Sequence, residues 1–177
     1  MKKRVFVAIK ASEGLQKKIS DWQEKFAAAD SVRVISSENL HITLIPPWYE
    51  ENVDKQIPKL KKIKGSIFNI EFKKVTFGPN LGRPRLIWAE GETSPELYKL
   101  KSLLDDLFPE YKSKHKNFIL HMTLARFNPD SFSKFEINKL DEEVLWQDNV
   151  SSFVLMQSHL SRTGANYEVL EEFPLLL

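Results

Sequence analysis

One short phrase occurs twice in this chain. His41 to Leu44 read HITL and His121 to Leu124 read HMTL, eighty positions apart in a sequence of 177 residues with four histidines. Along a strand successive side chains point to opposite faces, so His41 and Thr43 share one face, as do His121 and Thr123, while the apolar residues between them point to the other. Imidazole titrates nearest to neutral pH, and two such rings across a cleft can take one proton and give another. Two hydroxyls beside them supply donors to the non-bridging oxygens of a phosphate as charge gathers there. The constellation suits metal-free chemistry on a phosphodiester. A mononuclear metal site is the competing use of paired histidines, but there is no H-x-x-x-H or H-E-x-x-H spacing and no third ligand at a recognisable distance.

The elements that must carry these residues read as follows. Residues 4–9, RVFVAI, are β-branched and aromatic and predict a buried strand. A helix capped by Ser12 follows, with Leu15, Ile19, Trp22 and Phe26 on one stripe. Strands are predicted at 32–35 and 41–45, the second stopped by Pro46 and Pro47. Residues 50–63 predict a helix broken or started by Pro58. SIFNIEFKKVTFG and LIWAEG predict paired strands around a turn-rich loop, GPNLGRPR. Ser94 and Pro95 start a helix whose face is Leu97, Leu100, Leu103, Leu104 and Leu107, and the strand FILHMTLARF follows. A short helix near 131–139, a strand over 150–160, a turn at SRTGAN and a last strand, YEVLEEFPLLL, complete the chain. Strand, helix, strand with HITL is thus followed by strand, helix, strand with HMTL, the order of a duplicated α+β unit.

Composition sets the bounds. Hydrophobic residues make up 42% and charged residues 28%, the balance of a globular protein, and 177 residues is the length of one domain or of two small lobes on a shared core. There is no cysteine, which removes disulfides and zinc–thiolate sites. No stretch reaches the ~20 apolar residues of a spanning helix, and VFVAI in the opening MKKRVFVAIK is too short for a secretion signal. The expectation is a cytoplasmic monomer with no membrane, no cofactor and no obligate protein partner. A net charge of +2 excludes the bulk positive field of a DNA-coating protein. The lysine clusters KLKKIK and YKSKHK read as solvated surface.

Paired H-x-T motifs with a hydrophobic middle residue, about eighty positions apart in a chain of this size, resemble the two-histidine phosphoesterase superfamily, and most closely its bacterial and archaeal RNA 2′,3′-cyclic phosphodiesterases, also called 2′-5′ RNA ligases. The resemblance runs through RVFVAI, ENLHITL, FGP with PRLIWAEG, HMTLARF and SHLSRTGANYEVLEEFPL. It implies a bilobal α+β fold over residues 1–177, in which a pseudo-two-fold pair of antiparallel sheets lines a central groove with helices packed outside. It implies opening of a 2′,3′-cyclic phosphate on an RNA end or small nucleotide to a 2′-phosphate, with His41 as acid, His121 as base, and Thr43 and Thr123 on the phosphate oxygens, although the two-fold symmetry makes either histidine geometrically eligible for either role. The same groups serve cleavage or formation of 2′-5′ linkages, since an acid–base pair works in both directions. A nucleotide- or RNA-binding module without turnover is the reading from another class, and binding alone does not require matched titratable pairs.

The sequence departs from the family where Ile45, Pro46, Pro47 and Trp48 replace a Phe-Leu-Gly-like segment, and where Leu120 stands in place of a common proline. Both changes bear on the groove rim. Arg126, five positions after His121 and just beyond the strand's catalytic face, matches an arginine common in the family and is a candidate phosphate contact. Trp48, Tyr49 and Phe77 could offer a stacking face to a base, with Trp48, after two prolines, the rim candidate and Phe77 better suited to core packing, and Arg85, with Arg83, stands on the GRPR loop where it could meet a phosphate. His159 and His115 read as structural and surface residues. The resemblance gives weight instead to Ser158, Leu160, Gly164 and Tyr167.

Overall fold

The computed structural model describes residues 2–27, 29–113, 117–134, 139–162 and 164–176. Within them nine strands and three α-helices follow in chain order: β1 (Lys3–Lys10), α1 (Glu13–Gln23), β2 (Val32–Val34), β3 (His41–Glu50), α2 (Ile57–Leu60), β4 (Phe68–Gly78), β5 (Leu86–Gly91), α3 (Pro95–Leu107), β6 (Leu120–Phe127), β7 (Asp141–Val150), β8 (Ser152–Ser161) and β9 (Gly164–Pro174). The caps fall where the sequence places them. Ser12 Oγ accepts from Leu15 N–H and Ser94 Oγ from Leu97 N–H, both at 3.2 Å, each satisfying an orphan donor of the first turn.

The strands form two antiparallel sheets, ordered β3-β1-β8-β9 and β2-β6-β5-β4-β7. Apart from the added edge strand β2, the orders correspond position by position: β3 with β6, β1 with β5, β8 with β4, β9 with β7. Each histidine motif therefore opens the strand that pairs with the one before its helix. The helices repeat the relation, since α1 packs against β7 of the second sheet and α3 against β3 of the first. Trp22 of α1 meets Trp146 edge-on at 6.2 Å, while Trp48 of β3 lies against Phe108 at 5.1 Å. One continuous core joins both sheets, from Val5, Ile9 and Ile42 to Phe72, Ile87 and Met122. The expected bilobal α+β pair of sheets is the observed fold.

Three elements differ from the sequence reading. β3 runs through Pro46 and Pro47 to Glu50 instead of stopping. It is an edge strand, and its pairing with β1 skips from Ile45 to Trp48, so the prolines sit in a bulge where no ladder N–H is needed. The helix over 50–63 shrinks to a 3₁₀ turn at Val53–Lys55 and the four residues of α2, with Pro58 in its first turn. β7 has no counterpart in the sequence reading: its start, DEE, is acidic, and as the far edge of its sheet it alternates between half-buried and exposed residues. Of the helix near 131–139, the structure shows a 3₁₀ segment at Pro129–Lys134, and residues 135–138 lie outside the described ones.

Candidate active site

The two motifs converge. β3 lies against β6 across the junction of the sheets, and Gln23, the last residue of α1, ties that helix to β6 and to the segment after β2 by donating to the carbonyls of Leu124 at 2.7 Å and Ile35 at 2.8 Å. Ile42, Leu44, Met122 and Leu124 are at most 1% exposed, while His41, Thr43, His121 and Thr123 keep part of their surface open. The four polar side chains thus face the groove, as strand alternation requires.

Both strands break alternation at the same place. Opposite β1, Thr43 pairs with Ala8 and Ile45 with Val7, leaving Leu44 unpaired; opposite β5, Thr123 pairs with Trp88 and Ala125 with Ile87, leaving Leu124 unpaired. Each is a one-residue bulge that shifts the side-chain parity beyond it. Leu124 and Ala125 are therefore both buried, and Arg126 emerges exposed on the face of His121 and Thr123. Simple alternation from His121 places it on the opposite face.

The imidazoles are held alike. His41 Nδ1 lies 2.6 Å from the Asn39 carbonyl oxygen and His121 Nδ1 lies 2.8 Å from that of Ile119, each two residues upstream. A carbonyl only accepts, so Nδ1 carries the proton in both rings and Nε2 is left for exchange. The walls differ. His41 sits between Phe6 at 5.1 Å and Tyr167 at 5.0 Å, and Asn39 is locked to β9 because its Oδ1 accepts from Tyr167 N–H at 3.1 Å and its Nδ2 donates to the Ala165 carbonyl at 3.2 Å. His121 rests on Trp88 at 4.7 Å.

Electrostatics follow from the proximity. Burial pushes the His41 pKa below its ordinary value of 6.5, the Asn39 carbonyl opposes that shift, and the positive charges of Arg126 and His121 add to it. A cavity of about 490 Å³ opens from His121 and Trp88 past Arg85 to Tyr98 and the Lys101–Asp105 ion pair, and Lys101 is 5% exposed. Among the described residues no three His, Asp or Glu side chains gather as metal ligands.

Most of the expected site residues meet here, and two do not. Trp48 is 5% exposed and stacks on Tyr111 at 5.0 Å, in the core rather than on the rim. Phe77, also 5% exposed, packs edge-on against Phe127 and Phe132. The burial of Trp48 corrects the expectation of a rim residue, that of Phe77 is the core packing the sequence favours for it, and the cause is common: a large aromatic ring beside another helix or strand gains more from burial than from solvent. Arg85 is exposed and lines the cavity beside His121. His159 pairs with Glu168 across β8 and β9 at 2.9 Å, a structural place, while His115 lies outside the described residues. Phe6, Asn39 and Trp88 are additions to the expected set, although Asn39 and Trp88 are reachable by counting two residues back from His41 and across from Thr123.

The chain belongs to the 2′-5′ RNA ligase superfamily, whose family model matches residues 11–162. It is 28% identical over 174 residues to the RNA 2′,3′-cyclic phosphodiesterase of Archaeoglobus fulgidus, covering 96% of this chain and 99% of that one. The protein of the same name from Methanothermobacter thermautotrophicus is also 28% identical, over 188 residues, covering 99% and 100%. Among solved structures the fold matches TT0787 of Thermus thermophilus, with a TM-score of 0.79 at 23% identity over 97% of both chains, and apo E. coli LigT, with 0.77 at 22% over 99% of both. No helix of the described residues is long and apolar enough to cross a membrane.

Proposed function

We propose that this chain opens 2′,3′-cyclic phosphates on RNA ends or nucleotides to 2′-phosphates, as a cytoplasmic monomer and without a metal. The observation that carries the reading is the convergence of two His/Thr pairs, each imidazole tied by Nδ1–H to the carbonyl two residues upstream, which leaves Nε2 as the atom for proton exchange. The curated relatives' shared name points to the same substrate.

In this reading the cyclic phosphate lies between the rings. Thr43, Thr123 and Arg126 donate to its non-bridging oxygens and offset charge in the transition state. His121 takes a proton from water as the water oxygen bonds to phosphorus, and His41 gives a proton to ribose O3′ as the P–O3′ bond breaks. Burial keeps His41 neutral in the free groove, and the negative charge of the bound phosphate then favours the imidazolium that the acid role needs. The cavity beside His121 and Trp88 offers room for the nucleoside.

The test is hydrolysis of the four nucleoside 2′,3′-cyclic phosphates in excess EDTA by wild type, His41→Ala and His121→Ala. Hydrolysis to 2′-phosphates alone, lost in both variants, is the expected result. Loss of activity in EDTA would sink the metal-free mechanism. No turnover by wild type on these or on a short RNA with a cyclic end would sink the hydrolase reading in favour of a 2′-5′-linkage site or a binding surface.

A further inference from the structure

Helix α3 carries two stripes. Leu97, Leu100 and Leu104 turn into the core and are buried. Tyr98, Lys101, Ser102 and Asp105 fall at positions i, i+3, i+4 and i+7, which puts them on one neighbouring face of the helix. All four line the cavity that His121 and Trp88 enter from the strands. A helix that served only to cover a sheet would need no second stripe.

The members of that stripe are unlike ordinary surface residues. Lys101 is 5% exposed, with its ammonium bonded to Asp105 Oδ1 and 5.8 Å from the centre of the Phe118 ring. Burying an ammonium is costly even when it is paired, and an apolar residue at that position would serve the core better. What the pair does is hold a carboxylate in one place on the cavity wall. Asp105 keeps 28% of its side chain open, and a carboxylate has lone pairs for about four hydrogen bonds. Among the described residues Lys101 is the one group that bonds it. Tyr98, 62% exposed, leaves a ring open to the same cavity. An aromatic face and a preset acceptor are the parts by which proteins hold an unpaired base, one stacking on its plane and the other meeting its edge.

Resting on the proposed phosphodiesterase reading, we infer that this cavity binds the base of the nucleotide that carries the cyclic phosphate, with Tyr98 stacked on it and Asp105 selecting guanine. Guanine alone offers two donors side by side, N1–H and the 2-amino group, and these fit the two oxygens of one carboxylate. Adenine and cytosine set a ring-nitrogen acceptor beside their amine, and uracil sets a carbonyl oxygen on either side of N3–H. Each of those bases therefore turns a lone pair toward the carboxylate. Lys101 holds Asp105 in place and does not itself read the base.

The experiment measures kcat/KM on the 2′,3′-cyclic phosphates of guanosine, inosine, adenosine, cytidine and uridine. Wild type should favour guanosine over each of the others by roughly tenfold or more, mostly through KM, as the loss of one charge-assisted contact implies. Inosine is the sharpest comparison, because it keeps N1–H and O6 and lacks only the 2-amino group. Asp105→Asn should remove the preference, and Tyr98→Ala should raise KM for every base by a similar factor. Equal kcat/KM for guanosine and inosine in wild type overturns the inference while leaving the phosphodiesterase reading intact, and that comparison needs no variant to fold. A guanosine preference that persists in Asp105→Asn overturns the role of Asp105, and an unchanged KM in Tyr98→Ala overturns the stacking. If wild type turns over none of these substrates, the phosphodiesterase reading has failed, and the base site is decided by calorimetry with guanosine and inosine 2′-monophosphates. Tighter binding of the guanosine compound by wild type but not by Asp105→Asn supports it, and equal binding overturns it.

Discussion

Pro46 and Arg126 occupy equivalent places in the two halves, each five residues beyond its motif histidine and two beyond the same unpaired leucine. One half offers a guanidinium there and the other a ring with nothing to donate. Under the proposed phosphodiesterase reading, a groove built with near two-fold symmetry holds its phosphate asymmetrically, toward β6.

Replacing Arg126 tests that asymmetry. Hydrogen bonds to charged groups are worth about 1.5–3 kcal/mol, so Arg126→Gln should lower kcat/KM on a cyclic phosphate roughly 10- to 100-fold. Arg126→Lys should recover part of the loss, because it restores the charge but not the planar fork. A full-rate Arg126→Gln would remove the side chain from the phosphate site.

The faces of the histidines and threonines are legible in the sequence because alternation is local. The position of Arg126 is harder to read, since it depends on bulges that only the pairing shows. Their trace is nonetheless present: Leu44–Ile45 and Leu124–Ala125 are adjacent apolar pairs inside strands that otherwise alternate. β7 is illegible for a different reason, because an acidic edge strand carries little of the apolar pattern by which strands are found. Trp48 misleads since a sequence gives a ring's polarity but not its neighbours, and Tyr111 is distant in the chain.

His41 should make stability depend on pH. Its folded pKa lies below the ordinary 6.5, so as pH falls through that value the unfolded chain binds a proton that the folded chain refuses. Stability is then full above 6.5 and declines below it until the folded ring also titrates. Urea midpoints between roughly pH 5 and 8 should show this decline in wild type, and a smaller one in His41→Ala. Saturating inorganic phosphate should reduce the decline, because an anion in the groove favours protonated His41. Identical profiles for wild type and His41→Ala would count against the burial effect.

Asn39 should act on turnover through His41. Its backbone carbonyl accepts from His41 Nδ1–H, while its side chain bridges to Ala165 and Tyr167 on β9. Asn39→Ala leaves the carbonyl in place but frees the segment that aims it. The expected result is a fall in kcat of about 10-fold or more with KM little changed, since a small misplacement of a reacting group is costly. Nitrogen shifts of His41 should then show a mixed tautomer in place of one protonated at Nδ1. A lower melting temperature with unchanged kcat and tautomer would make Asn39 merely structural.

Gly78 sets the position of Trp88 and, through it, of His121. A Cβ at residue 78 would stand 2.5 Å from Trp88 Cε2 and 2.7 Å from Cζ2, closer than packing permits. Trp88 Nε1 is buried with no hydrogen-bond partner among the described residues, so packing alone keeps the indole against His121. Gly78→Ala should therefore push the ring into the groove, costing about 1–3 kcal/mol of stability by overpacking and reducing kcat as His121 loses its wall. Trp88→Phe shortens the ring at the point of collision, so Gly78→Ala with Trp88→Phe should melt above Gly78→Ala alone. Strictly additive losses in the double variant would mean that the two residues do not share this contact.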